Sequence, residues 1–198
     1  MIRDDLSDRL IHLTKGSFEE AEKIFFQILK DEKIVASNKN VKGNHKVICF
    51  SEAPVSKLGI ILANPNAHNL RYRPFGFMFE KKYLFNLGAR PGIYQPNDEY
   101  DYLHPKQQFR HIRFEPQNDI DWTWEREWRM QTDELTLNHE LVTLIIPNRS
   151  WEKKLQKEHH EKIEEASFAE GGFGPAVVGE FKWHFITLSD LGFNIPTD

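Results

Sequence analysis

The chain predicts an α+β fold on a twisted, mainly antiparallel sheet, and three observations lead there. Short segments of alternating apolar residues recur along the chain, and helical spacing appears between them only in places and in irregular order. The aromatic load is heavy for a hydrophilic sequence, with 15 Phe, 5 Trp and 5 Tyr among 198 residues that are 28% charged. A doubly wound parallel sheet would need a helix between nearly all strands, and those helices are missing. The length suits a single domain over residues 1–198, in which a chain of this size buries roughly 70% of its unfolded surface. Each aromatic ring covers about 150–250 Å² when buried, so a dense core is compatible with a mean hydropathy of −0.60.

The elements follow in order. Ile11-His12-Leu13-Thr14 alternates as a short strand, and Lys15-Gly16 ends it. Ser17-Phe18-Glu19-Glu20 is a capping box, in which Ser17 accepts from the amide three residues on and Glu20 returns the bond. Phe18, Ala21, Ile24, Phe25, Ile28 and Leu29 then keep helical spacing to about Lys30. After a polar loop, Lys46 to Ser51 reads as a buried strand stopped by Glu52-Ala53-Pro54, with a short helix to about Leu62. Phe75, Phe77 and Phe79 line one face of a strand that Pro74 confines to a start or an edge position. Residues 88–118 carry four prolines and read mostly as loop, a place for a functional insertion. From Trp122 to Gln131 period two fits: Trp122, Trp124 and Trp128 on one parity, Glu125, Glu127 and Arg129 on the other. This predicts one strand with an aromatic underside and a charged face. Leu141 to Pro147 is a further strand, Trp151 to Ala166 a charged helix, Gly171 to Pro175 a tight loop, and Phe181, Trp183 and Phe185 mark a last strand.

Composition excludes some functions. A net charge of −4 and a pI of about 6.1 argue against a dedicated electrostatic nucleic-acid binder, though not against an enzyme that visits nucleic acid. The aliphatic run Leu144-Ile145-Ile146 is far short of a membrane span, and Met1 to Asp5 opens no secretory signal, so a cytoplasmic location is expected. The single Cys49 has no partner for an internal disulfide and is expected as a buried thiol.

Four places carry candidate chemistry. Glu125 and Glu127 on one strand face, with Arg129 beside them, place two carboxylates within reach of one bound group, as needed where positive charge grows on an anomeric carbon. A solvated face with cross-strand ion pairs is the competing reading. His12 and Thr14 share a face and suit ribose hydroxyls or a phosphate, or a satisfied structural pair. Ser51 ends its strand where a hydroxyl commonly caps the next turn. Arg71 and Arg73 alternate as a phosphate clamp would, or as surface ion-pair partners. The adjacent His159-His160 point about 100° apart on a helix and do not share a metal as an i, i+4 pair does, so no metal is expected.

His12-Leu13-Thr14, the capped helix, Cys49-Phe50-Ser51-Glu52 and Trp124-Glu125-Arg126-Glu127-Trp128-Arg129 together resemble a bacterial family that includes the AbiGi-type abortive-infection proteins of phage defence, over roughly residues 10 to 130. A more distant resemblance is to the ADP-ribosyltransferase fold, including the DarT-type enzymes that modify DNA. It implies a split sheet with flanking helices and NAD as substrate. Carried across, Glu127 takes the catalytic place with Glu125 beside it, and His12 fixes the ribose. Thr14 joins His12 on the ribose and Phe50-Ser51 line the nicotinamide pocket; Arg73 and Arg129, which the resemblance does not supply, are added to the expected NAD-binding set. The tyrosine that many such enzymes stack on nicotinamide has no counterpart between Ser51 and Leu70, which leaves Tyr72 or Tyr83 to substitute. The expected activity is transfer of ADP-ribose from NAD to a nucleic acid or protein, with an antitoxin or another defence component as partner. A non-catalytic sensor of a defence system and an RNase-like toxin using His12 and Glu127 are the alternatives.

Overall fold

The computed structural model describes residues 6–63, 72–158 and 181–195. β1 (Arg9–Lys15) runs into α1 (Phe18–Asp31), whose start is the expected capping box: Ser17 Oγ accepts from the Glu20 amide at 3.1 Å and Glu20 Oε2 accepts from the Ser17 amide at 2.8 Å. There follow β2 (Lys33–Val35), β3 (Val47–Ser51), α2 (Val55–Leu62), β4 (Tyr72–Glu80), α3 (Lys81–Asn86), β5 (Arg90–Pro91), β6 (Ile93–Gln95) and β7 (His111–Arg113). The chain continues through β8 (Glu127–Gln131), β9 (Glu134–Thr136), β10 (Val142–Ile146), a helix α4 over 149–158, and β11 (His184–Thr187).

Among the described residues seven strands form one sheet in the order β11-β10-β4-β1-β3-β8-β5, while β2 pairs β9 and β6 pairs β7 in two-stranded ribbons. Within the large sheet neighbours are antiparallel except β10 and β11. The mixed α+β class with a mostly antiparallel sheet is thus as the alternation predicted.

Registers deal the side chains to two faces. Leu10 lies opposite Phe79, and His12 and Leu144 lie opposite Phe77 from either side. That face collects Phe50, Phe75, Phe77, Phe79, Trp128 and Met130 in the main core, and α1 covers it. Phe25 of α1 sits 5.6 Å from Phe75 and 5.1 Å from Phe77 between ring centroids. Each such buried ring stabilises the fold by about 1.5–3 kcal/mol. The other face holds a smaller core of Ile11, Leu13 and Ile145 with Leu58, Leu188 and Ile195.

Four sequence expectations change. Pro74 stands near the start of β4, one of the two positions expected, but β4 is not an edge strand, since it runs between β1 and β10. It is tolerated because the β10 ladder ends at Gly76 and the β1 ladder slips between Leu13 and Lys15, so Pro74 falls outside the paired registers on both sides. The segment from Trp122 is not one strand. Thr123 donates its amide (2.9 Å) and hydroxyl (2.6 Å) to Asp121 Oδ1, Thr123–Glu125 form a 3-10 turn, and Arg126 takes a left-handed φ of 45° before β8 begins. That reversal leaves Trp122 45% exposed and puts Trp124 against the smaller core, while Trp128 joins the main one. Residues 88–118 are more ordered than a loop, with three short 3-10 turns and a local core of Tyr100, Phe109 and Ile112. Of the last aromatic triplet only Phe185 lies in β11, and Phe181 and Trp183 pack on the main core ahead of it.

Arg71, His159-His160, the Gly171 to Pro175 loop and the second half of the charged helix lie outside the described residues. Among the described residues no helix is long and apolar enough to cross a membrane.

Candidate active site

The face opposite α1 opens into a cleft where β3 and β8 meet the start of β4. Ser51 lies opposite Glu127 and Cys49 opposite Arg129, and Ile11 of the smaller core pairs Ser51 in turn, so these five side chains share the face away from the phenylalanines. Lys15 and Tyr72 pair beyond the bulge at the end of β1. The loop at 39–42, the insertion through His111 to Arg113 and the turn at Trp122 to Glu125 wall the space, about 510 Å³ in volume. A crevice of about 40 Å³ adjoins it along the gap between β1 and β3, whose ladder pairs at Ile11 and Ser51.

Two carboxyl groups of different character lie in the cleft. Glu127 pairs with Arg129 (Nε to Oε1, 2.6 Å), both side chains being nearly covered at 12% and 7% exposure. Arg129 also donates to the carbonyls of Phe109 and His111, so the insertion and the carboxylate share one guanidinium. Burial of a charge this deep is tolerated because its partner and its donors are satisfied. The Glu127 amide donates to the Tyr94 hydroxyl at 2.8 Å.

Glu125 is held otherwise. Tyr72 donates its hydroxyl to Oε2 at 2.6 Å, and Ser51 donates to the Glu125 carbonyl at 2.6 Å while accepting from the Ala53 amide. Burial pushes the Glu125 carboxyl above the usual carboxylate range; the Tyr72 hydrogen bond and Lys15 oppose this, and the charge of Glu127 adds to it. Burial first, and then Glu125, push the Tyr72 phenol far above its ordinary value, so Tyr72 remains a donor. Burial, reinforced by Glu127, takes the Cys49 thiol up to about 12, which leaves it protonated and a poor nucleophile.

Of the expected site residues, Glu125, Glu127, Arg129 and Ser51 converge here. Glu125 arrives from a turn and not from the strand face that parity suggested, because the left-handed Arg126 swings it round beside Glu127. Arg129 is committed to Glu127 and two carbonyls, which makes it an anchor of the carboxylate. His12, Thr14 and Phe50 lie on the α1 side of the sheet. Thr14 is buried and donates its hydroxyl to the Phe75 carbonyl. The His12 ring stands edge-on to Phe50 and its Nδ1 bonds the Cys49 carbonyl at 2.9 Å, which requires the proton on Nδ1. Burial takes its pKa down to about 4, against the opposing pull of that hydrogen bond, so the ring is neutral at pH 7. His12 and Phe50 still border the crevice through the gap in the ladder, with Glu127 on its cleft side. Arg73 donates to the Tyr72 carbonyl and is not among the described residues lining the cleft.

Sequence reading missed Lys15 and Trp124 as cleft residues and left Tyr72 unplaced. For two of them a signal existed: Lys15 has the parity of Ile11 and Leu13, and Tyr72 the parity opposite the phenylalanines of β4. Among the described residues no group of three or more His, Cys, Asp or Glu side chains is placed to hold a metal ion. Comparison with protein-family models, with curated proteins and with solved structures finds no match.

Proposed function

We propose that the cleft transfers the ADP-ribosyl group of NAD to a nucleic-acid or protein acceptor. The observation that carries this reading is the pair of unlike carboxyls in one cleft: Glu127 locked to Arg129, and Glu125 buried against Tyr72. Glycosyl transfer through an oxocarbenium-like state needs one anchored negative group at the anomeric carbon and one group that exchanges a proton. The surroundings suit a dinucleotide, with Trp122 and Trp124 as apolar walls and Lys15, Lys39, Lys42 and Arg113 as cationic partners for phosphate.

In this scheme Glu127 faces the ribose and stabilises the positive charge that grows as the bond from C1′ to nicotinamide breaks, the bonding pair leaving with nicotinamide. A lone pair of the acceptor then attacks C1′, and Glu125 takes the acceptor's proton. Its upward-displaced titration brings it nearer the working pH of a general base. The resemblance of the His-x-Thr, Phe-Ser and Glu-x-Glu segments to ADP-ribosyltransferases supports the same assignment, with His12 as a wall of the crevice. The RNase-like alternative draws less support, because His12 is held neutral down to about pH 4 and spends its Nδ1 proton on Cys49.

The test is radiolabel transfer from NAD in bacterial extract, with calorimetry for NAD binding. Wild type is expected to label an acceptor, and Glu127→Gln to lose labelling while keeping NAD affinity within a few-fold. Equal background from both proteins, with no heat of NAD binding, overturns the proposal and leaves a partner-binding role, which native mass spectrometry of the complex would detect.

A further inference from the structure

Glu125 rides on a 3-10 turn, so no strand register fixes its side chain, and what holds it is the phenol of Tyr72. That phenol is itself braced. Lys15 Nζ stands 4.5 Å from the ring centroid, and the Trp124 ring meets it edge-on at 6.3 Å. Tyr72 and Lys15 are cross-strand partners, with the slip after Leu13 lying next to them, so the brace is built by the irregular end of the β1–β4 ladder. The charged and titratable groups that face Glu125 are Lys15 from β1, Tyr72 from β4, Tyr94 from β6, and Glu127 and Arg129 from β8, with Cys49 of β3 beside Glu127.

We propose that Tyr72 is the positioning residue for Glu125, and that with Lys15 it sets the pH at which Glu125 becomes available as a base for the acceptor. The role as base rests on the ADP-ribosyltransferase reading; the tether does not. A hydrogen bond donated to a carboxylate favours its ionised form, as does a nearby ammonium, whereas burial and Glu127 oppose ionisation. Without the phenol hydroxyl the balance moves toward the protonated acid.

The experiment is a difference-infrared titration of the protonated carboxyl stretch, assigned to Glu125 by its loss in Glu125→Gln. Tyr72→Phe keeps the ring that packs on Trp124 and removes only the donor. A hydrogen bond to a charged group is worth enough to raise the Glu125 midpoint by about one to two pH units. Lys15→Met, which leaves the hydroxyl in place, is expected to raise it by less, and added salt to shrink that difference, because Lys15 is exposed. In the labelling assay the acid limb of the Tyr72→Phe pH profile moves up with the midpoint, and activity returns at higher pH, which a merely structural defect would not do. A midpoint that stays put or falls in Tyr72→Phe overturns the tether even if labelling persists. A midpoint that rises in a protein that never labels an acceptor upholds the tether and sinks the transferase reading.

Discussion

Acidification is the perturbation that isolates His12. The ring is covered on the α1 side of the sheet, its Nδ1 bonded to the Cys49 carbonyl, and burial lowers its pKa to about 4 from an ordinary 6.5. The unfolded chain therefore takes up this proton first as pH falls, so His12 favours the fold fully above pH 6.5, and that contribution drains away down to about pH 4. The gap, at 1.36 kcal/mol per pH unit, amounts to about 3 kcal/mol, with about 2 kcal/mol already gone at pH 5. This is an upper bound, since His12 is not fully buried. The control is His12→Asn, whose amide nitrogen retains a donor near the Nδ1 position and does not titrate. Urea unfolding followed by tryptophan fluorescence at pH 7, 6, 5 and 4 should show wild type losing up to about 3 kcal/mol more than the variant across that range, other carboxyls cancelling between them. Parallel pH dependences would refute the buried neutral histidine.

Three further outcomes follow from the packing. Ser17→Ala removes the cap of α1 and should cost about 1 kcal/mol, a fall in Tm of about 2–4 °C for a chain of this size; an unchanged melting curve would show the cap to be redundant. Arg129→Met strands the Glu127 carboxylate under cover and should cost about 3–5 kcal/mol in denaturant unfolding, part of which Glu127→Gln restores, so strict additivity in the double mutant would contradict the pairing. Gly92→Ala sets a Cβ 2.2 Å from Ile112 Cδ1 and 3.0 Å from the Glu127 carbonyl, against a backbone that the Gly92 amide already bonds at 2.7 Å. About 1–3 kcal/mol should be lost, whereas full retention of stability would mean that the insertion slides freely past β8.

Much of the fold was legible because its signals are local. The alternation of Ile11 to Thr14, the capping box at Ser17 and the phenylalanine run of β4 each state their element within a few residues. The two-residue or three-residue strands β2, β5, β6, β7 and β9 were not legible, since segments so short owe their conformation to the partner that pairs with them. At the site, Glu125 and Glu127 were found for a reason that is only half right. Parity put both on one strand, yet the Asp121–Thr123 turn breaks the strand before Glu127.

By itself the sequence determined which residues share a face within each strand, because successive side chains alternate whatever the strand's neighbours are. It therefore paired His12 with Thr14, and Glu127 with Arg129. Which of the two faces carries the cleft was decided only by strand order, since the β1–β3–β8 register sets Glu127 with Ser51 and Ile11 on one side and His12 with Phe77 on the other. The meeting of Glu125 with Glu127 likewise depends on bonds closed from far along the chain: Ser51 to the Glu125 carbonyl, the Glu52 amide to the Arg126 carbonyl, and Tyr72 to the Glu125 carboxyl. Local periodicity carries no record of such contacts, because their energy is realised only when the sheet has assembled.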